Sequence, residues 1–360
     1  MTAVRKRSLP GRAARAKPGT VISLADAPTR RRASVRAIGL GPAVTLGLAA
    51  TVAGTLVPVV GAPVFAVVAG VLLSPLARRR SEALEPGLGL ARGLVLQLSV
   101  VLLGAQLSLR QVLTVGAGSL PVMLGTLGVC LLLAWLVGRR LGVPRDLRTL
   151  IGVGTGICGA SAIAATTPAI RAKSTDVAYA ISTIFLFNVA AVLIFPPVGH
   201  ALGMSAHAFG LFAGTAVNDT SSVVAAAGAY GQDAEGYAVV VKLVRTLMII
   251  PVVLVLTTLS GRRAALAETS KARLAVSLVP WFLVAFLAVA ALNSGGLIPA
   301  AAQTALHHVA LLFIAVALAA VGLSTNVAAL RRAGARPLLL GLILWAAVSA
   351  TSLGLQYLLT

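Results

Sequence analysis

Long apolar runs separated by short basic segments dominate the chain. The runs fall at about 38–60, 63–77, 89–109, 117–137, 150–170, 176–199, 207–228, 236–258, 275–294, 303–325 and 337–358. A helix of about 20 apolar residues spans the hydrocarbon core of a bilayer, so the pattern predicts about nine to eleven transmembrane segments. The expected fold is therefore an all-α polytopic membrane protein.

The charges between the runs set the expected orientation. Arg78, Arg79 and Arg80 follow the second run, and Arg139, Arg140, Arg145 and Arg148 follow the fourth. Arg262, Arg263, Lys271 and Arg273 follow the eighth, and Arg331, Arg332 and Arg336 follow the tenth. Placing these groups on the cytoplasmic side with the N-terminus satisfies the positive-inside rule and leaves the C-terminus outside. Residues 1–37, with ten Arg or Lys against the single acid Asp26, read as a disordered cytoplasmic tail. Residues 38–360 form the membrane domain. If run 150–170 crosses fully, Arg171 and Lys173 end up outside; if it enters and returns as a hairpin they stay inside, and parity then makes run 207–228 a hairpin from the opposite face. The expectation is two broken helices or re-entrant hairpins entering from opposite sides.

A repeat supports inverted symmetry. Leu107-Ser108, Gly118, Pro121 and Leu124-Gly125 match Leu323-Ser324, Gly334, Pro337 and Leu340-Gly341, every pair separated by 216 positions. An odd number of apolar runs between the copies makes them face opposite ways. Inverted repeats with interrupted helices near the midplane are the architecture of many secondary transporters.

Composition narrows the class further. The chain is 58% hydrophobic and 11% charged, against about 25% charged in soluble domains. The net charge of +21 sits in basic segments between apolar runs; without a basic face interleaved with aromatics, it argues for loops held on one side and against nucleic-acid binding. Cys130 and Cys158 lie in apolar runs and form no disulfide framework. His200, His207, His307 and His308 make no ligand cluster, so neither a metal nor another cofactor is expected. The absence of a GxxxxGK[ST] loop disfavours a primary pump.

Two mirrored motifs carry the candidate chemistry. Gly154-Thr155-Gly156-Ile157-Cys158-Gly159-Ala160-Ser161 and Gly214-Thr215-Ala216-Val217-Asn218-Asp219-Thr220-Ser221 both read G-T-x-(Ile/Val)-x-x-x-Ser. A helix broken at such a motif exposes backbone N–H groups at the N-terminus of its second half, where the dipole favours an anion. Gly156 and Gly159 permit close backbone approach, and Thr155, Ser161, Thr215, Thr220 and Ser221 offer hydroxyls. Close helix packing by small residues is the structural alternative. Asp219, the carboxylate inside an apolar run, either pairs with a cation, takes a proton or holds Na⁺; Asn218 adds an amide. Lys242 and Arg245, three apart on one helix face, are expected to point at the two half-helix N-termini and hold the anion, or else to pair with Asp219 and snorkel outward. Gln97, Gln106, Arg110, Asn188 and Asn326 read as inter-helix hydrogen bonds or interface residues.

The runs Ile157–Ala165, Val177–Ala180, Phe185–Phe187, Asp219-Thr220, Val223–Ala226 and Val241–Arg245 resemble the YeiH-like family of bacterial inner-membrane proteins, which carries a sulfate-exporter label. The likeness covers about residues 40 to 360 and is densest from 150 to 258. The family usually shows His-Asp-Thr-Ala-Gln where this chain has Asn218-Asp219-Thr220-Ser221-Ser222, leaving Asp219 as the titrating candidate. In plan the family is similar to bile-acid/sodium symporters and sodium/proton antiporters.

The resulting expectation is a multi-pass secondary transporter of the bacterial plasma membrane, not an enzyme. Its substrate is a small anion such as sulfate or an organic sulfonate or carboxylate. Thr155, Gly156, Cys158, Gly159, Ser161, Thr215, Asn218, Asp219, Thr220, Ser221, Lys242 and Arg245 are its binding residues. The alternatives are a carrier with Asp219 as its Na⁺ or H⁺ site, and an intramembrane enzyme or lipid-handling protein using Cys158 or Ser161. The oligomeric state is open, a homodimer included.

Overall fold

The computed structural model describes residues 28–56, 61–259, 278–325 and 334–359. Within them the chain is helical: α1 (Pro28–Leu56), α2 (Gly61–Arg78), α3 (Ser81–Leu90), a π-helical turn (Ala91–Val95), α4 (Leu96–Leu103), a 3₁₀ turn (Gly104–Gln106), α5 (Leu109–Arg140), α6 (Arg145–Gly156), α7 (Ala160–Ile170) and α8 (Ser174–Ala201). There follow α9 (Ala206–Ala216), α10 (Thr220–Tyr230), α11 (Gln232–Thr246), α12 (Ile249–Leu259), α13 (Trp281–Ser294), α14 (Ala300–Leu323) and α15 (Ala335–Leu359). Among the described residues seven helical segments are long and apolar enough to cross a membrane, and Ala62–Arg78, Ala160–Ile170 and Trp281–Ser294 are shorter apolar helices. This is an all-α polytopic membrane protein. Helix α1 begins at Pro28, so the boundary read at residue 37 falls inside a helix; residues 1–27, the basic segment 260–277, and Asn326 with Arg331 and Arg332 lie outside the described residues.

Two segments do not cross. Val177, Ala180 and Ile184 of α8 share a core with Leu147, Leu150 and Ile151 of α6 and with Ile163 and Ile170 of α7. The first half of α8 therefore runs beside α6 in the same sense, and α7 returns the chain to the face it entered from. The second hairpin, α9–α10, closes at its base: Tyr230 at the end of α10 stacks on Phe209 with ring centroids 3.9 Å apart and its hydroxyl donates to the Met204 carbonyl. Its arms have 11 residues each, about 16 Å, or half the hydrocarbon thickness. Helix α9 runs parallel to α11, because Gly210 meets Ala234 and Tyr237 while Gly214 meets Ala238 and Val241. A β-carbon on Gly214 would lie 2.7 Å from the Val241 Cβ, so glycine lets these two helices touch.

One face carries Arg78, the α5–α6 junction with Arg139, Arg140, Arg145 and Arg148, and Arg171 at the end of α7. Arg336 joins them, since its guanidinium lies beside Gly142. The α6–α7 hairpin enters from this arginine-rich face and α9–α10 from the opposite one.

The repeat read at 216 positions extends through three helices. Adding that offset to α2, α3–α4 and α5 lands on α13, α14 and α15. The pairs are antiparallel: Gln106 at the end of α4 donates to the Gln303 carbonyl at the start of α14, 2.8 Å, and Gly125 and Gly138 of α5 face Leu355 and Leu340 of α15 respectively. The capping box at Ser108 and Gln111, which starts α5, is the local signal for that copy.

The helices form two bundles. One contains α1 to α4, α13 and α14, tightly joined where Gly70 of α2 meets Gly322 of α14 backbone to backbone. The other contains α5 to α12 and α15 and holds both hairpins. Contact between the bundles runs mainly through α10 against α2 and α14.

Candidate functional site

Each hairpin tip is a short non-helical break. In the first, Ile157 leaves helical geometry and Gly159 has φ +69°, a conformation that strongly favours glycine. In the second, Val217 and Asp219 are extended, and the Asn188 side chain of α8 accepts from the Asn218 N–H at 3.1 Å. The tips meet: a β-carbon on Gly159 would lie 3.2 Å from the Asp219 Cβ and 3.7 Å from the Asn218 carbonyl oxygen.

Lys242 and Arg245 sit behind this junction and face the opposite way from the sequence expectation. Lys242 Nζ donates to the carbonyls of Ile157 (2.7 Å) and Val217 (2.8 Å). Arg245 donates from Nε to the Gly156 carbonyl (2.8 Å), from Nη1 to the Thr215 carbonyl and from Nη2 to the Thr155 carbonyl (3.4 Å). These are the C-terminal carbonyls of α6 and α9, which lack intrahelical partners and carry the negative end of the dipole. Both cations are fully buried, so neither snorkels outward. Nor is the expected pairing with Asp219 present: Asp219 Oδ1 instead accepts from the Ser222 N–H at 2.7 Å and caps α10. The spacing at 242 and 245 identified the helix face correctly; which end of each half-helix it met was decided by the parallel run of α9 and α11.

With the C-terminal ends clamped, the N-terminal ends of α7 and α10 are the free ones. They open into a cavity of about 470 Å³ on the arginine-rich side of the tips, lined among others by Arg92, Gln97, Cys158, Ala160, Ser161, Ser182, Asp219, Thr220, Ser221, Ser324 and Thr325. Among the described residues the backbone N–H groups of Ala160, Ser161, Thr220 and Ser221 meet no acceptor, and the buried Ser324 Oγ is also without a partner. Of the residues chosen from sequence, Cys158, Ser161, Asp219, Thr220 and Ser221 line the cavity. Gly159 makes the tip-to-tip contact, while Thr155, Gly156 and Thr215 supply clamped carbonyls. The Thr215 hydroxyl is spent on Ser352 of α15, 2.6 Å away. Asn218 is buried, with its Oδ1 unbonded.

Arg92 was missed, although it stands inside the run 89–109 as the one cation there. It lies in the π-helical turn, a feature common at functional sites. It reaches the cavity while its guanidinium pairs with Glu85. Gln97, read as an inter-helix hydrogen bond, accepts from Trp281 Nε1 at 2.9 Å at the cavity wall.

A family profile described as "Conserved hypothetical protein 698" matches residues 39–341. A UPF0324 membrane protein of Fusobacterium nucleatum is 39% identical over 334 residues, covering 87% of this chain and 95% of that protein. The chain belongs to the UPF0324 family of membrane proteins. Further members resemble it as strongly: one from Streptococcus pneumoniae is 43% identical over 85% of this chain and 92% of its own length, and one from Streptococcus agalactiae is 40% identical over the same shares. The profile spans both hairpins and the clamp, and the YeiH-like resemblance read from Ile157–Ala165 and Val241–Arg245 is borne out as this family. No solved structure matches the chain.

Proposed function

We propose that this UPF0324 member is a secondary transporter of a small anion, bound where the N-termini of α7 and α10 converge. The observation that carries the reading is the group of four unpaired backbone donors, from two opposed half-helices, at one cavity within the membrane. Helix N-termini are anion sites because their free N–H groups and dipole both favour negative charge. A tetrahedral oxyanion presents enough acceptors for donors from both helices, with hydroxyls of Ser161, Thr220 and Ser221 adding to them. Arg92 stands at the wall as the counter-charge, and an arriving anion competes with Glu85 for it. Sulfate, sulfonates and small carboxylates all fit this chemistry.

Lys242 and Arg245 act at one remove in this reading. They fix the two tips on α11 and add positive potential behind the site without touching substrate. Asp219 is the opposing element, since a bare carboxylate in the cavity repels an anion. Neutralising it with H⁺ or Na⁺ would couple that ion to anion occupancy, which joins the cation-coupled reading to the anion reading. By the positive-inside rule we place the arginine-rich face in the cytoplasm of a bacterial plasma membrane, so that the cavity loads from the cytoplasm, the sense required for export.

The test is ligand-dependent thermal stability of the purified protein with sulfate, sulfite, sulfonates and dicarboxylates, with and without Na⁺ and across pH. It is followed by uptake into proteoliposomes of whichever anion stabilises. At least one anion is expected to raise the melting temperature in wild type and to do so less in Arg92→Gln and Ser221→Ala. Failure of every anion to stabilise or to be transported would remove the proposal.

A further inference from the structure

A second cavity of about 710 Å³ lies on the far side of the tips, toward the face opposite the arginines, lined among others by Gln106, Arg110, His207, Gln232, Glu235 and His307. At its floor is Glu235, in the first turn of α11 and only 2% exposed. Its Oε1 is buried without a hydrogen-bond partner. Around the carboxylate the neighbours are apolar: a β-carbon on Gly228 of α10 would be 3.4 Å from Oε2 and 3.8 Å from Pro63 of α2. The titratable groups sharing the cavity are Arg110 from α5, His207 from α9, Asp233 and Tyr237 from α11, and His307 from α14. None is bonded to Glu235; α2 and α10 contribute none.

A carboxylate taken out of water with no donor is one of the costliest arrangements a protein can hold unless a cation or proton accompanies it. Among the described residues no group of three side chains suited to a metal ion exists. We propose that Glu235 is a proton-binding site reached from the second cavity. Its position gives the proton a structural consequence. Glu235 of α11 and Pro63 of α2 both lie against Gly228 of α10, the helix that joins the two bundles. One turn earlier than Glu235, Gln232 meets His307 of α14, with 2.6 Å between the two Nε2 atoms. Protonated, the acid sits at the closed bundle boundary at a far smaller desolvation cost than the carboxylate; ionised, it draws water and favours separation there. Seven residues further along, on the same face of α11, Lys242 holds both hairpin tips, so a shift of α11 at Glu235 moves the anion site with it. This inference concerns the second cavity and stands whether or not the first binds an anion.

The experiment labels purified wild-type protein with dicyclohexylcarbodiimide, an apolar reagent that adds to protonated carboxylic acids, and reads the peptides by mass spectrometry across pH. Adduct on the peptide carrying Glu235 is expected at low pH and should fall at least tenfold as pH rises. It should be absent in Glu235→Gln and retained in Asp219→Asn. Absence of adduct at Glu235 at every pH, labelling independent of pH, or protection by Na⁺ at fixed pH would overturn the proposal. The wild-type titration decides the matter even if a variant fails to fold. The adduct on the Asp219 peptide, read separately, keeps the result distinct from the anion reading.

Discussion

Replacing Lys242 with methionine separates a clamp from a substrate ligand. Methionine matches the length of the lysine stem but cannot donate, so the Ile157 and Val217 carbonyls lose their shared partner. Each buried acceptor left unpaired costs about 1–3 kcal/mol, giving about 2–6 kcal/mol for the pair if water does not enter. Removing the ammonium also removes its own desolvation cost, which offsets part of this, so we expect a net loss of about 2–4 kcal/mol. That is a large share of the roughly 5–15 kcal/mol by which proteins are stable. Arg245→Met strands the Gly156, Thr215 and Thr155 carbonyls and is expected to cost more. The assay is thermal unfolding of both variants in detergent, with anion binding measured on whatever remains folded. A cation that served only as substrate ligand would leave the melting temperature unchanged and abolish binding. Unchanged stability in both variants would therefore refute the clamp.

Gly159→Ala forces a side chain into φ +69° and to within 3.2 Å of Asp219 Cβ; we expect a cost of about 1–3 kcal/mol and loss of anion-dependent stabilisation, read by the same melting curves. Arg92→Gln should keep the fold and weaken anion affinity about tenfold, the low end of a charge-assisted hydrogen bond, because the guanidinium is partly solvated; calorimetric titration checks it. Gly322→Ala places a methyl 2.6 Å from the Val67 carbonyl oxygen and 2.8 Å from the Gly70 Cα, so it should lower stability by about 1–3 kcal/mol, seen as a lower melting temperature with anion affinity retained. Cysteines at Gln232 and His307, one on each bundle, should stop transport when cross-linked and restore it on reduction, measured in proteoliposomes.

The two breaks were legible in sequence and Arg171 with Lys173 favoured re-entry, but full crossing by broken helices stayed open, because charge placement alone does not fix the path of a chain through the membrane. The 216-residue offset was legible in part because Ser108 caps α5 and Gly125 and Gly341 make close contacts that tolerate few substitutes. What escaped were relations between elements. An i, i+3 pair such as Lys242 and Arg245 fixes a helix face, yet its partner depends on whether α9 runs with or against α11, and no local pattern encodes that. Glu235 stands one position before the apolar run 236–258 and so reads as an end-of-helix charge, while the Gly231 turn places it within the packed interior. Arg92 stood in plain view inside an apolar run, but only the π-helical turn directs it to the cavity.

The clamp constrains how such a molecule could alternate. The two tips touch each other through Gly159 and Asp219 and are bonded through five carbonyls to one helix, α11. Opening the site by separating the tips would strand those carbonyls at membrane depth, where no water replaces the lost donors. The bundle boundary is held differently, by apolar packing of α10 against α2 and α14, by the cross-bundle contact of Gln232 with His307, and by the Leu109 N–H at the start of α5, which donates to Ser294 Oγ of α13 at 2.7 Å. Sliding along the α10 contact exchanges one apolar contact for another, at less cost than stranding the buried carbonyls of the tips. For the proposed transport, motion is therefore expected at the boundary, with both hairpins, α11 and the proposed anion site moving as one body past α2 and α14. The first cavity is bounded on one side by the hairpin tips and on the other by Arg92 and Ser324. It straddles that same boundary, which is where a site must lie if sliding is to expose it to each face in turn.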